Sequence, residues 1–404
     1  MAERRIVLEQ CGLIDPADIV TYIERGGFQP LTKARTMGPD AVIATIKASG
    51  LRGRGGAGFP CAAKWALART AQGTEKFLIC NADEGEVGTF KDRYILQHDP
   101  FSLIEGMTIA AYAIGATKAF LYLRGEYHFL YSLLTQAIGQ AVAQGFLGDL
   151  PIEIREGAGA YVCGEETGLM NSIEGKRGEA RFRPPFPPTS GLFGTPTVIN
   201  NVETLVNVPR IIAHGAAWFA SLGTPESTGT KVFSVAGDVE RPGVYELPMG
   251  TPLRHLLDLA GAHDVKLVQV GGATGRVLPA SRLDTPLAFE SILGSGGITV
   301  QNSTRDVIDF AYRCVEFLNE ESCGLCTPCR EGTEVMMEVF TRFARGDAAG
   351  EDIATLEQLS QVMMDASLCG LGQAAPIPVI DTLTYFRHEY ETRIKQSVYL
   401  RALR

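Results

Sequence analysis

Cys323, Cys326 and Cys329 recur at three-residue steps, and a fourth thiol, Cys369, arrives from a separate segment. Three thiols on one tight stretch plus one distant thiol suit the corners of a cubane [4Fe–4S] cluster. Gly324 and Pro328 lie between the thiols, so residues 323–329 read as a loop rather than a continuing helix. The competing chemistry is a zinc site with four thiolates. Zinc sites usually arrive as two well-separated C-x2-4-C pairs, which this spacing does not supply. On the cluster reading, the chain handles single electrons.

Three further segments carry groups that could hold a ligand. Gly53 to Gly58 satisfies G-x-G-x-x-G, but an amphipathic helix precedes it, whereas the dinucleotide fingerprint requires a strand there. Arg52, Arg54 and Lys64 still surround a loop of exposed amides with cations, an arrangement that suits phosphate; a mobile hinge is the alternative. Asn81 to Glu86 places three carboxylates in a turn after an expected strand, where α/β sheets bind ligands. Taken alone, that turn reads as a solvated acidic loop. Gly157 to Thr167 offers small residues for close backbone approach, Tyr161 to cover a ring, and Glu165 and Glu166 to bind hydroxyls or an amide. Cys163 has no histidine near it in sequence and reads as a buried structural thiol, as do Cys11, Cys61, Cys80 and Cys314. The six histidines are scattered and form no hydrolase pattern.

The elements that must position these groups follow from periodicity. Residues 39–49 read as a short amphipathic helix stopped by Gly50. A helix over 61–72 and a strand over 76–80 follow. Next come a helix through Ile109, a strand over 119–123, a helix over 126–144 and a strand over 151–155. This β-α alternation predicts a parallel sheet with covering helices. Five prolines between Pro184 and Pro196 exclude regular structure there. From Lys231, a hairpin turning at Arg241-Pro242-Gly243, a helix over 251–260 and a strand over 266–270 predict a small ββαβ unit. Helices over 306–319, 331–344, 348–365 and 376–403 predict a bundle housing the cysteines.

With 404 residues, 45% of them hydrophobic, the chain can bury a full core and divides into about two to four domains. A net charge of −9 argues against nucleic-acid binding. No apolar run is long enough to span a membrane, and the first residues lack the apolar region of a signal peptide. Nine cysteines without a disulfide framework fit a cytoplasmic location.

In order along the chain stand LRGRGGAGFP (51–60), Lys64-Trp65, CNADEGEVGTFKDR (80–93), GAGAYVCGEET (157–167), RPPFPP (183–188), INNVET (199–204) and SCGLCTPCREG (322–332). This series resembles the NADH-binding flavoprotein subunit of respiratory complex I. Its relatives are the diaphorase subunits of NAD-linked hydrogenases and formate dehydrogenases. The resemblance covers nearly the whole chain. It implies an α/β fold with a Rossmann-like FMN domain, a ubiquitin-like β-grasp domain and a four-helix bundle with one [4Fe–4S] cluster. The implied divisions are 1–70 (helices and glycine loop), 71–228 (FMN and NAD), 229–301 (β-grasp) and 302–404 (bundle).

By the same resemblance, FMN contacts fall on Gly53, Arg54, Gly55, Lys64, Asn81, Asp83, Tyr161, Gly164, Glu165, Asn200, Asn201 and Thr204. The nicotinamide nucleotide falls on Phe59, Glu86, Glu166, Arg183 and Phe186, and the cluster on Cys323, Cys326, Cys329 and Cys369. No side chain need act as nucleophile. Arg183 stands where lysine is common, Val87 where proline is frequent, Cys61 where threonine is frequent, and Leu67 where an aromatic would stack on adenine. The opening segment looks more like the hydrogenase and formate dehydrogenase branch. Many members of that branch carry extra iron–sulfur domains, so a small thioredoxin-like [2Fe–2S] subunit and a larger catalytic subunit are the expected partners. The alternatives are complex I itself, and an electron-relay module that has lost nucleotide turnover.

Overall fold

The computed structural model describes residues 3–395. Its first layer is helical: α1 (Ile19–Glu24), α2 (Gln29–Met37), α3 (Pro39–Ser49) and α4 (Cys61–Thr70). Helix α3 matches its predicted span. Pro39 supplies a pre-set φ in the first turn, and Gly50 closes the helix at φ 72°, a left-handed cap that favours glycine.

A parallel sheet follows, built from β1 (Phe77–Ala82), β2 (Lys118–Leu123), β3 (Ile152–Glu156) and β4 (Thr197–Asn201) in the order β3-β2-β1-β4. Its helices are α5 (Lys91–His98), α6 (Pro100–Ile114), α7 (Tyr131–Ala143), α8 (Glu166–Ile173), α9 (Val202–His214) and α10 (Ala216–Ala220). Both faces are covered, and the alternation of side chains shows it. Leu78, Cys80 and Ala82 enter the core formed with the N-terminal helices, while Phe77 and Ile79 enter a second core with Leu169 and Met170 of α8. The N-terminal segment shares the larger core: Glu246 accepts hydrogen bonds from the N–H groups of Ile6, Val7 and Leu8. Glu105 accepts from Tyr22 Oη and the N–H groups of Phe28 and Leu31.

The second sheet contains β5 (Thr230–Gly237), β6 (Gly243–Pro248), β7 (Val265–Val270), β8 (Arg276–Pro279) and β9 (Gly297–Asn302), in the order β6-β5-β9-β7-β8. Helix α11 (Leu253–Ala260) packs its leucines against it. The predicted hairpin, helix and strand are present. The sequence reading missed β8 and β9; β9 runs parallel to β5 and completes the sheet.

The C-terminal region is helical: α12 (Val307–Glu320), α13 (Thr327–Arg345), α14 (Gly350–Ala366), the short α15 (Gly370–Ala374) and α16 (Ile377–Glu391). Three expected boundaries are corrected. Residues 323–329 are not a loop throughout, because α13 begins at Thr327 and Cys329 sits in its first turn. Pro328 does not prevent this, since a first-turn N–H has no intrahelical partner to lose. The helix expected over 126–144 is a 3-10 turn, Gly125–Leu130, that leads into α7. The strand expected over 76–80 runs on to Ala82, so Asn81 is a ladder residue, paired with Tyr122 and Asn201. The predicted end of the last helix lies outside the described residues. Among the described residues no helix is long and apolar enough to cross a membrane.

Candidate functional site

The strand order places β1 and β4 side by side with their connections leaving in opposite directions, and ligands bind at such a switch point, beyond the carboxyl ends of the strands. All three loops singled out from sequence meet there. Asn81 Nδ2 donates to the Gly164 carbonyl at 2.8 Å, joining the 81–86 turn to the 157–167 loop. Arg54 N donates to Thr204 Oγ1 at 2.8 Å, joining the glycine loop to the start of α9. Asn200 Oδ1 accepts from Trp65 Nε1 at 2.8 Å and fixes α4 against β4. Asn201 caps α9 through Glu203 N and reaches Asp92 Oδ2 with its amide at 2.6 Å.

The cations expected to face a phosphate are engaged elsewhere. The buried Arg54 guanidinium donates to the carbonyls of Arg52, Thr228 and Thr230. Buried donors need acceptors, and the start of β5 provides them. Arg52 donates to the Gly58 carbonyl and lies 4.0 Å from the Phe289 ring centroid. Lys64 Nζ is 2.8 Å from Glu166 Oε2. Backbone and glycine surface are therefore what the loop presents. A Cβ on Gly55 would come 3.0 Å from Asn201 Cβ, and one on Gly164 3.3 Å from the Asp83 carbonyl, so side chains there would crowd the cradle.

The acidic turn is not a solvated loop. Glu84 is buried and caps α5, accepting from the N–H groups of Asp92 and Arg93 and from Tyr127 Oη. Burial pushes its carboxyl up to about 7. Asp83 is also pushed up to about 7 by burial, partly offset by Arg124, and its buried Oδ2 has no hydrogen-bond partner among the described residues. A buried carboxylate oxygen left without a donor is costly, and a ligand hydroxyl would supply one. Glu86 accepts from Tyr161 Oη and Thr274 Oγ1, each at 2.8 Å.

Glu165 caps α8 through the N–H groups of Thr167 and Gly168, and its other oxygen takes Arg183. Arg183 also lies 3.3 Å from Glu166. Lys64, Glu166, Arg183 and Glu165 thus form one continuous ion-paired chain along the cleft. The Phe59 ring centroid lies 5.8 Å from Lys64 Nζ, and Phe59, Leu67 and Phe186 are exposed at 47%, 57% and 55%, large apolar surfaces left open to solvent.

The four cysteines expected to hold the cluster lie close enough to act on one another, at the edge of this site. Burial raises Cys329 to about 11, Ser322 Oγ at 3.3 Å opposes that, and the charges of Cys326, Cys369 and Cys323 each add to it. The N–H groups of Leu371 and Gly372 face Cys369 and favour its thiolate against burial. A Cβ on Gly372 would lie 2.8 Å from Cys329 Cβ, so only glycine lets the two segments approach. Among the described residues no three Cys, His, Asp or Glu side chains are grouped tightly enough to hold one metal ion. Three thiols on one short stretch and a fourth from a separate segment are the donor set that suits a [4Fe–4S] cluster. The other five cysteines are buried and free of disulfides, as expected.

Sequence reasoning missed a buried charge network behind the cradle. Lys91 Nζ lies 2.7 Å from Asp92 and 2.9 Å from Glu203, and Lys231 Nζ lies 2.5 Å from Glu203. Its sequence signals were the Lys91-Asp92 pair inside the third motif and Glu203 inside INNVET.

A cleft of this kind beside four thiols defines a flavin- and iron–sulfur-binding redox subunit, and family comparison agrees. Residues 46–210 match the Nuo51 FMN-binding domain, 309–393 the NADH-ubiquinone oxidoreductase-F iron-sulfur binding region, and 232–263 the SLBB domain. The chain belongs to this family. It is 43% identical to the NADP-reducing hydrogenase subunit HndC of Solidesulfovibrio fructosivorans, over 96% of this chain and 83% of that one. It is 42% identical to an NADH-quinone oxidoreductase subunit of Rhizobium meliloti, over 97% of this chain and 98% of that one. The fold superposes on a chain of an NAD+-reducing [NiFe]-hydrogenase crystallised in the H2-reduced state, with a TM-score of 0.87 and 46% identity. That match covers 91% of this chain and 64% of the other.

Proposed function

We propose that this chain exchanges hydride between NAD(H) and FMN and passes electrons singly to a [4Fe–4S] cluster, as the diaphorase module of a cytoplasmic multisubunit redox complex. One observation carries the reading: a single short turn touches both the flavin side and the thiol side. Tyr161 Oη bonds Glu86, its N–H donates to Glu321 Oε2 at 2.9 Å, and Glu321 stands two residues before Cys323. Glu165, in the same turn, bears electrostatically on Cys369. When bound, FMN supplies the two-electron-to-one-electron conversion.

The chain's own residues bind and align. Gly53, Arg54 (through its backbone), Gly55, Asn200, Asn201 and Thr204 form the cradle for the phosphate end. Asn81, Asp83, Gly164 and Tyr161 line the flavin, with Asp83 Oδ2 accepting from a ligand hydroxyl. Lys64 and Glu165 hold the wall between the two cofactors. Phe59 and Phe186 offer stacking faces for adenine, and Glu86 and Glu166 meet the nicotinamide nucleotide. Cys323, Cys326, Cys329 and Cys369 are the cluster ligands. The divisions we favour are 1–70, 71–228, 229–301 with a β-grasp sheet, and 302–404 with a four-helix bundle. A small thioredoxin-like [2Fe–2S] subunit and a larger catalytic subunit, of a hydrogenase or formate dehydrogenase, complete the electron path.

The nucleotide is NAD rather than NADP. Glu86 and Glu166 oppose an added 2′-phosphate, and the cations beside them are already paired, Arg183 with Glu165 and Glu166 and Lys64 with Glu166. Relatives named for each nucleotide match almost equally well, so our preference rests on the charges of the pocket. Complex I is the second reading, favoured by a near full-length match to an NADH-quinone oxidoreductase subunit.

The purified chain should carry one FMN and four irons and reduce ferricyanide with NADH, at a kcat/KM well above that with NADPH. Zinc in place of iron would refute the cluster. A preference for NADPH would show that Arg183 leaves its glutamates for the phosphate.

A further inference from the structure

The turn between β7 and β8 is Gly271-Gly272-Ala273-Thr274-Gly275, and it belongs to the second sheet, remote in sequence from the flavin loops. Its backbone is closed and fixed. Gly275 N donates to the Gly272 carbonyl and Gly271 N to the Gly297 carbonyl, both at 2.7 Å. Gly271 and Gly272 adopt φ of 107° and 78°, which glycine alone takes without strain. Ala273 is buried in the core of the C-terminal helices. The turn is therefore clamped between the second sheet and the helices, and its tip is delivered against Glu86.

The contact is close. A Cβ on Gly272 would collide with Glu86 Cγ, so the glycine is in direct contact with the glutamate stem. Thr274 grips the carboxylate with both its groups: Oγ1 donates to Oε2 at 2.8 Å and N to Oε1 at 3.4 Å. Tyr161 Oη donates to the same Oε2 from the other side, also at 2.8 Å. A glutamate held by two hydroxyls and the backbone amides of Thr274 and Ala273 is restrained before ligand arrives, whereas a free side chain would lose that freedom only when ligand binds.

We propose that Thr274 is a positioning residue for nicotinamide-nucleotide binding, orienting Glu86 from the second sheet before the nucleotide arrives. The SLBB-type sheet thereby contributes to nucleotide affinity without touching the nucleotide. This rests on the reading of Glu86 as a nucleotide-facing carboxylate, and the experiment separates the two.

Thr274→Val keeps the shape and the backbone N–H and removes the hydroxyl. Thr274→Ser restores the hydroxyl, and Glu86→Gln tests the carboxylate itself. For each holoprotein, NAD+ binding is measured by the change in flavin fluorescence, alongside KM and kcat for NADH with ferricyanide, FMN content and iron content. Thr274→Val is expected to weaken NAD+ binding and raise KM by about tenfold, the lower end for one hydrogen bond to a charged group. Its kcat, FMN and iron should match the parent protein, and Thr274→Ser should return KM to within about twofold. Wild-type affinity in Thr274→Val while Glu86→Gln binds weakly overturns the proposal. So does a loss of FMN or iron in step with affinity, which would mark Thr274 as a docking contact between the sheets. If Glu86→Gln itself binds NAD+ normally, the nucleotide reading of Glu86 fails first and the role of Thr274 falls with it.

Discussion

Glu203→Gln should destabilise the protein far more than Lys231→Met, although each removes one half of the same ion pair. Glu203 is wholly buried and receives Lys231 Nζ at 2.5 Å, Lys91 Nζ at 2.9 Å and Val232 N at 2.8 Å. Neutralising it leaves Lys91 with Asp92 and leaves Lys231 with only the Val232 carbonyl. Stranding a buried charge costs about 3–5 kcal/mol. Removing Lys231 is different, because Glu203 keeps Lys91 and the Val232 amide. Burial lowers the Lys231 amine while Glu203 pulls it up and keeps the pair charged, so removing Lys231 also removes a charge that burial disfavours. An apolar side chain of similar length should cost about 1 kcal/mol or less.

The assay is the apparent Tm of the holoprotein, with FMN retention after dilution as a second readout, because Glu203 lies between Asn201 and Thr204 in the cradle. Glu203→Gln should lose at least three times the Tm that Lys231→Met loses, and should shed FMN. The pH dependence has a definite sign. Lys231 is depressed on folding, so between about pH 7 and the ordinary lysine range of about 10.4 the unfolded chain binds more protons. Its contribution to stability therefore grows as pH rises, and the gap between parent and Lys231→Met should widen from pH 7 to 9. Equal losses in the two variants, or a gap that narrows, would refute the assignment of charges.

Cys326→Ser should lose the cluster iron and its reduced-state EPR signal while FMN content stays near normal, because the cradle and the thiols use different residues; loss of both together would contradict that separation. Glu166→Ala should raise KM for NADH with FMN retained, since it unpairs Lys64 and leaves Arg183 with Glu165 alone. A rise at constant kcat would mean lost uniform binding, a fall in kcat would implicate hydride alignment, and unchanged kinetics would remove Glu166 from the site.

What was legible in the sequence is what short range encodes. The β-α alternation predicts the parallel sheet because strand and helix periods are local, and the three thiols at i, i+3 steps announce themselves for the same reason. The acidic turn misled because carboxylates read as surface groups, whereas Glu84 is buried by capping a helix that begins seven residues later. Arg54 misled in the same way. A guanidinium beside glycines looks like a phosphate ligand until Thr228 and Thr230, just before and at the start of β5 and far along the chain, present their carbonyls to it. Lys91, Glu203 and Lys231 lie on three separate elements, and no local pattern marks charges that find one another only in the folded core. Strands β8 and β9 were missed because glycine-rich turns interrupt short runs whose partners are long-range.

The same geometry explains why so few polar groups at the site stand free. Asn81, Asn200, Asn201, Thr204, Glu165 and Lys64 are all hydrogen-bonded within the protein, and these bonds tie together the loops, helix starts and strand ends that meet at the switch point. Loops carrying that many glycines would lose considerable freedom on closing round a cofactor. Bonding the loops to one another meets that cost during folding, so ligand affinity is not diminished by it. The exception is Asp83, whose inward oxygen has no partner among the described residues and whose carboxyl is pushed up to about 7. A buried acceptor left free beside bonded neighbours is the place where a ligand hydroxyl would be expected to donate, and a fixed acceptor of that kind would restrict how the ligand lies.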